Sequence, residues 1–169
     1  MQKSTTKSFI QTQKLGQGLA KEILQKESGK KALVLGLQGD LGAGKTTFLQ
    51  GFAKGLGVTE KINSPTFVIL RRFKITKIKN QKSKIKITNQ NSKFINFYHL
   101  DCYRLNKAEE ILDLGFKEII SNPENIVAIE WPEKISKFLP KDMIEIIFNH
   151  LGGNKRELII TTQNIYGYK

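Results

Sequence analysis

Eight consecutive residues, Gly39-Asp40-Leu41-Gly42-Ala43-Gly44-Lys45-Thr46, carry the densest chemical signal in the chain. Glycines at this spacing let the backbone curl until successive N–H groups point inward, which makes a cradle for a phosphate. The lysine is placed to reach the terminal phosphates of a polyphosphate, and the hydroxyl that follows is placed to coordinate Mg²⁺. A helix opening at this point adds its positive end to the cradle. The pattern predicts ATP and Mg²⁺ as ligands, held by Gly39, Asp40, Leu41, Gly42, Ala43, Gly44, Lys45, Thr46 and Thr47.

Such a loop needs an acidic side chain at the end of a neighbouring buried strand, holding Mg²⁺ directly or through water. Glu130 ends the apolar run Ile126 to Ile129, and Asp101 follows the run Phe94 to Leu100. A carboxylate at a buried strand end is costly without a cation or donors beside it. Glu130 is therefore assigned to the metal with Thr46, and Asp101 to the attacking or metal-bound water; Lys45, Asp101 and Glu130 form the expected catalytic set. The competing reading for Asp101 is a cap on the next segment. Ser64-Pro65-Thr66 lies where a switch loop would lie, although a plain turn reads equally well. His99 is weighed between a side chain exposed near the site and a satisfied structural histidine, and Trp131 between a cover for the site or a partner and a core aromatic; the structural reading is expected for both. Cys102 lacks a paired cysteine or metal spacing and is expected to be unreactive.

The surrounding pattern supplies the elements. Ala32-Leu33-Val34-Leu35-Gly36-Leu37 reads as a strand buried on both faces, and Phe48, Leu49, Phe52, Ala53 and Leu56 recur at helical spacing until Gly57. Leu15, Leu19, Ala20, Ile23 and Leu24 predict a helix over about 12–26, weakened by Gly16 and Gly18. Further strands are expected at Phe67–Leu70, Phe94–Tyr98, Ile126–Ile129, Ile144–Phe148 and Leu158–Thr161, the last two as an antiparallel edge hairpin about Gly152-Gly153. Asn106 with Glu109 resembles a capping box opening a helix to Ile120, and Pro132 opens a short helix to about Leu139. The alternation predicts an α/β fold: a P-loop NTPase-like three-layer arrangement, with a mostly parallel central sheet and antiparallel edge strands.

The 169 residues suit one such domain, 1–169, and exclude two large ones. No apolar run is long enough for a membrane span, and Met1–Gln13 lacks the apolar stretch of a secretory signal. One cysteine excludes an internal disulfide and suits a cytoplasmic location. The net charge of +13 is concentrated: Arg71 to Lys93 holds nine cationic residues and no acid, leaving +4 elsewhere. About 73–93 the composition narrows to Lys, Ile, Asn, Gln, Thr and Ser. This basic low-complexity stretch reads as an insertion, either an extended hairpin or a loop.

Four ordered signatures now stand together: Gly39 to Phe48, Ser64-Pro65-Thr66-Phe67, His99-Leu100-Asp101-Cys102-Tyr103-Arg104-Leu105, and Ile129-Glu130-Trp131-Pro132. In this order they resemble the bacterial ATPase subunit of tRNA threonylcarbamoyladenosine synthesis, the TsaE family. The resemblance spans about Thr12 to Trp131 and extends weakly to Arg156. It implies an ATPase with little activity alone. It also implies partners, a threonylcarbamoyl transferase and that enzyme's non-catalytic paralogue, which together modify the adenosine beside certain tRNA anticodons. In that family the residues matching Thr46 and Glu130 bind magnesium, and the one matching Asp101 is needed for activity. Residues 73–93 depart from the family by their length and basicity.

Three other functions compete. A GTPase would need Asn-Lys-x-Asp after a strand, whereas Asn106-Lys107-Ala108-Glu109 and Asn154-Lys155-Arg156-Glu157 both carry Glu and follow no apolar strand. A small-molecule kinase would need an arginine-bearing lid, and Arg71, Arg72, Arg104 and Arg156 lie outside such a context. A nucleic-acid module built on Arg71 to Lys93 has no aromatic between Phe73 and Phe94 to stack bases. That stretch supports only salt-sensitive phosphate contacts, and a possible tRNA contact by it is weighed against a solvated loop.

Overall fold

The computed structural model describes residues 1–26, 29–62, 69–76 and 92–162. Its strands are β1 (Gln2–Thr6), β2 (Leu33–Gln38), β3 (Leu70–Lys74), β4 (Asn96–Asp101), β5 (Asn125–Glu130), β6 (Ile144–His150) and β7 (Arg156–Thr162). The α-helices are α1 (Phe9–Leu24), α2 (Lys45–Leu56), α3 (Glu110–Asp113) and α4 (Phe116–Ser121), with a 3₁₀ helix at Pro132–Phe138. The strands form one sheet in the order β1-β7-β6-β2-β5-β4-β3. β6, β2, β5 and β4 run parallel to their neighbours in this group, while β1, β7 and β3 pair antiparallel. The expected mixed α/β sheet with a parallel centre is therefore present.

Period-two alternation splits the central strands between two cores. Leu35, Leu37, Ile126, Ala128 and Phe97 face α1 and α2, while Val34, Val127, Ile129 and Leu100 face Ile111, Phe116 and Ile135 on the other side. This is why β2 and β5 read as continuous apolar runs: every residue of β5 is buried. The first core holds an aromatic chain, with Phe48 edge-on to Phe148 at 5.6 Å and Phe52 against Phe97 at 5.7 Å.

Several expectations need correction. β1 is a strand, although its residues Gln-Lys-Ser-Thr-Thr show no apolar alternation. It exists because β7 offers a free edge in full register from Gln2↔Ile160 to Thr6↔Arg156. The β6–β7 hairpin forms as expected but is not the edge, since β1 covers β7. α1 begins at Phe9, earlier than expected, because the Ser8 hydroxyl accepts from the Gln11 N–H at 3.2 Å. The Asn106–Glu109 capping box does not form; the Glu110 carboxylate accepts from the Lys107 N–H at 2.7 Å instead. The single helix expected to reach Ile120 is broken in two at Gly115, whose φ of 70° is left-handed.

Of the strand expected at Phe67–Leu70, Phe67 and Val68 lie outside the described residues, as does Ser64-Pro65-Thr66, and Leu70 opens β3, which runs on to Lys74. The basic insertion is sheet at its root: β3 pairs β4 from Leu70↔Leu100 to Lys74↔Asn96, and the Ile75 N–H continues to the Ile95 carbonyl at 2.9 Å. Residues 77–91 of the insertion lie outside the described residues.

Candidate functional site

The loop that follows β2 returns the chain through three left-handed glycines, Gly39 (φ 135°), Gly42 (φ 78°) and Gly44 (φ 104°). Gly39 is further constrained by space, since a Cβ there would stand 2.5 Å from the Phe148 carbonyl oxygen. Gly44 caps α2 without a side-chain hydrogen bond, and the first turn holds no acid. An anion above the loop would therefore meet an uncapped helix start.

Lys45 is the first residue of α2 and is buried. Its ammonium donates to the carbonyls of Gly39 at 2.5 Å and Asp40 at 3.0 Å, and lies 4.1 Å from the centroid of the Trp131 ring. Burial lowers its pKa, opposed by the nearby carboxylates of Glu130 and Asp101. The charge is thus held inside the loop.

Thr46 points to the end of β5. Its hydroxyl donates to Glu130 Oε1 at 3.1 Å and Oε2 at 3.3 Å. Oε1 also lies 2.9 Å from His99 Nε2, and both His99 and Glu130 are buried. Asp101 is the register partner of Glu130 across β4 and β5, so both carboxylates leave the sheet at one end and on one face. Burial raises the Asp101 pKa, with Glu130 adding to the rise and the Tyr103 N–H, donating to Oδ1 at 3.1 Å, opposing it. Beside these carboxylates Thr46 and Lys45 line a cavity of about 510 Å³, together with Leu41, Gly42, Gly44, Thr47, Tyr103, Arg104 and Trp131. It opens beyond the carboxyl ends of β2 and β5, where ligands bind in open parallel sheets.

The fold thus gathers Lys45, Thr46, Thr47, Asp101 and Glu130 around one cavity; Gly39, Asp40 and Ala43 shape the loop behind it. Two expectations change. His99 is buried as a structural histidine would be, but its partner is the site carboxylate. Trp131 packs on the second core and also lines the cavity. Its φ of 60° is the one left-handed non-glycine conformation among the described residues, and it turns the ring over Lys45 and to 5.2 Å from Tyr103. Tyr103 and Arg104 also line the cavity, although the sequence gives neither a site role; their signal is their place in the signature that follows Asp101. Cys102 is fully buried with its thiol pKa pushed up to about 12 by burial, which agrees with the expected inertness.

The family model for threonylcarbamoyl adenosine biosynthesis protein TsaE matches residues 6–158. The chain belongs to the TsaE family. The TsaE match begins earlier than the expected Thr12, taking in the start of α1, and ends at Leu158, two residues past the expected weak limit of Arg156 and within β7. The tRNA threonylcarbamoyladenosine biosynthesis protein TsaE of Bacillus subtilis is 37% identical over 128 residues, covering 76% of this chain and 68% of the relative. The TsaE of Rickettsia conorii is 35% identical over 161 residues, 95% of this chain and 78% of the relative. Among solved structures, the crystal structure of Bacillus subtilis YdiB matches with a TM-score of 0.66 and 28% identity, over 95% of this chain and 84% of that one. TsaE membership ties the chain to tRNA threonylcarbamoyladenosine biosynthesis. Among the described residues no helix is long and apolar enough to cross a membrane.

Proposed function

We propose that this chain is the Mg²⁺-dependent, ATP-hydrolysing subunit of the assembly that makes threonylcarbamoyladenosine in tRNA. Its fold is read as a P-loop NTPase-like three-layer domain spanning 1–169, with a basic insertion at about 73–93. The observation that carries the reading is the convergence of Lys45, the Thr46–Glu130 pair and Asp101 on one cavity beside an uncapped helix start. A glycine-rich surface turn with no ligand would not need a buried ammonium and a buried carboxylate to meet it.

In this reading the loop N–H groups and Lys45 bind the β- and γ-phosphates. Thr46 and Glu130 hold Mg²⁺, whose charge when bound offsets that developing on the transferred phosphoryl oxygens. Among the described residues no group of three or more His, Cys, Asp and Glu side chains is arranged for a metal. That suits an ion which takes one or two protein oxygens and draws the rest from phosphates and water. Asp101, with its raised pKa, is a stronger base than an ordinary carboxylate and orients the attacking water. Trp131 and Tyr103 line the cavity beside Lys45 and Asp101. The expected partners are a threonylcarbamoyl transferase and its non-catalytic paralogue, and work on tRNA fits a cytoplasmic location.

The test is ATP turnover measured with and without those two proteins, with Mg²⁺ present and with it chelated. Mg²⁺-dependent hydrolysis, weak alone and strongly stimulated by the partners, supports the proposal. Phosphoryl transfer to a small acceptor, or failure to bind ATP, overturns it.

A further inference from the structure

His99 is the one buried side chain among the described residues with a ring nitrogen, Nδ1, that has no hydrogen-bond partner. It sits mid-sheet on β4, with Ala128 of β5 as its register partner, two positions before Asp101 and on the same face. A leucine there would pack without leaving a polar atom unpaired. The imidazole makes a single polar contact, to Glu130 Oε1 at 2.9 Å. A carboxylate oxygen only accepts, so Nε2 carries a proton and donates it to Oε1.

Oε1 therefore receives two donors, His99 from below in the sheet and Thr46 from α2, while Oε2 has only the longer Thr46 contact. Two donors on one oxygen remove the rotational freedom of the carboxylate. We propose that His99 is a positioning residue which pins Oε1 of Glu130 and so presents Oε2 to the cation. The inference rests on the metal role proposed for Glu130 and deepens it. Groups that orient a metal ligand from behind typically account for about 10- to 100-fold in metal affinity.

The experiment is Mn²⁺ binding, followed by electron paramagnetic resonance with a non-hydrolysable ATP analogue, alongside calorimetric ATP affinity without metal and melting temperature. His99→Leu removes the donor; His99→Gln returns an amide N–H near the Nε2 position; His99→Asn is too short to reach Oε1. The expected result is Mn²⁺ binding weakened about 10-fold or more in His99→Leu and His99→Asn, restored most of the way in His99→Gln. Metal-free ATP affinity should stay unchanged throughout. Wild-type Mn²⁺ binding in a folded His99→Leu overturns the proposal. If His99→Leu does not fold, equal Mn²⁺ affinities for His99→Gln and His99→Asn overturn it instead. Glu130→Gln separates the two levels: if that variant also binds Mn²⁺ normally, the metal site itself is misassigned. If it loses Mn²⁺ while His99→Leu does not, only the positioning role of His99 falls.

Discussion

Asp101 and Glu130 are register partners at the ends of two adjacent parallel strands, yet the fold gives their carboxylates different surroundings. Glu130 is buried and held by Thr46 and His99, whereas Asp101 is half-buried, lines the cavity and accepts from the Tyr103 N–H. Two like charges this close are kept apart in role by what each one faces.

That difference predicts a split between two conservative variants. Glu130→Gln should lose Mg²⁺-dependent hydrolysis, because an amide is a poor cation ligand and its NH₂ group would oppose the Thr46 or His99 donor. Asp101→Asn should lower turnover by about 10²- to 10⁴-fold, the range for a lost general base, with Mg²⁺·ATP affinity changed only a few-fold. Titrating Mg²⁺ at saturating ATP checks this. Loss of metal dependence in Asp101→Asn alone would exchange the two roles.

Lys45→Ala should weaken ATP binding by about 10- to 100-fold, the equivalent of losing charged hydrogen bonds to two phosphates. Folding should be nearly unaffected, since the variant also removes a desolvated ammonium that burial disfavours. Calorimetry on the folded variant decides, and an unchanged ATP affinity would discard the loop as the nucleotide site.

The α1–α2 contact makes a paired prediction from two glycines. A Cβ on Gly51 would lie 1.9 Å from the Gln13 carbonyl oxygen, against rigid backbone. Gly51→Ala should therefore cost about 1–3 kcal/mol as the helices separate. Gly18, in the middle of α1, has nothing within 4 Å of its added Cβ. Gly18→Ala should stabilise by about 0.5–1 kcal/mol through helix propensity. Urea midpoints of the two variants should move in opposite directions.

Residues 77–91 should be removable when Thr76 and Ser92 are joined by a short turn, with melting temperature and ATP turnover close to those of the parent. Excision from Lys74 to Ser92, which composition alone suggests, would cut β3 and the Ser92 hydroxyl that accepts from the Phe94 N–H at 3.2 Å. Loop shortening alone changes closure entropy slowly. If the lysines hold tRNA phosphates, the shorter protein should bind RNA more weakly and with a flatter salt dependence. Unchanged RNA binding at two salt concentrations leaves the solvated-loop reading, and a collapsed melting transition shows that the segment belongs to the fold.

The amino-acid sequence by itself determined the glycine loop, its flanking strand and helix, and the candidacy of Lys45, Thr46, Asp101 and Glu130. These are local: glycine spacing, a continuous apolar run and a carboxylate at its end are each written within a few residues. It also carried the parallel centre of the sheet, because strands buried on both faces leave an unbroken apolar signature in β2 and β5. Only the tertiary structure decided that β1 is a strand, since its polar residues gain their pairing from β7 and not from any pattern of their own. The same holds for Gly16 and Gly51, which weaken their helices locally but permit the approach of α1 to α2. His99 and Trp131 read as core residues because sequence records burial tendency and not direction. Strand register aims one at the Glu130 carboxylate, and a single left-handed backbone turn lays the other over Lys45.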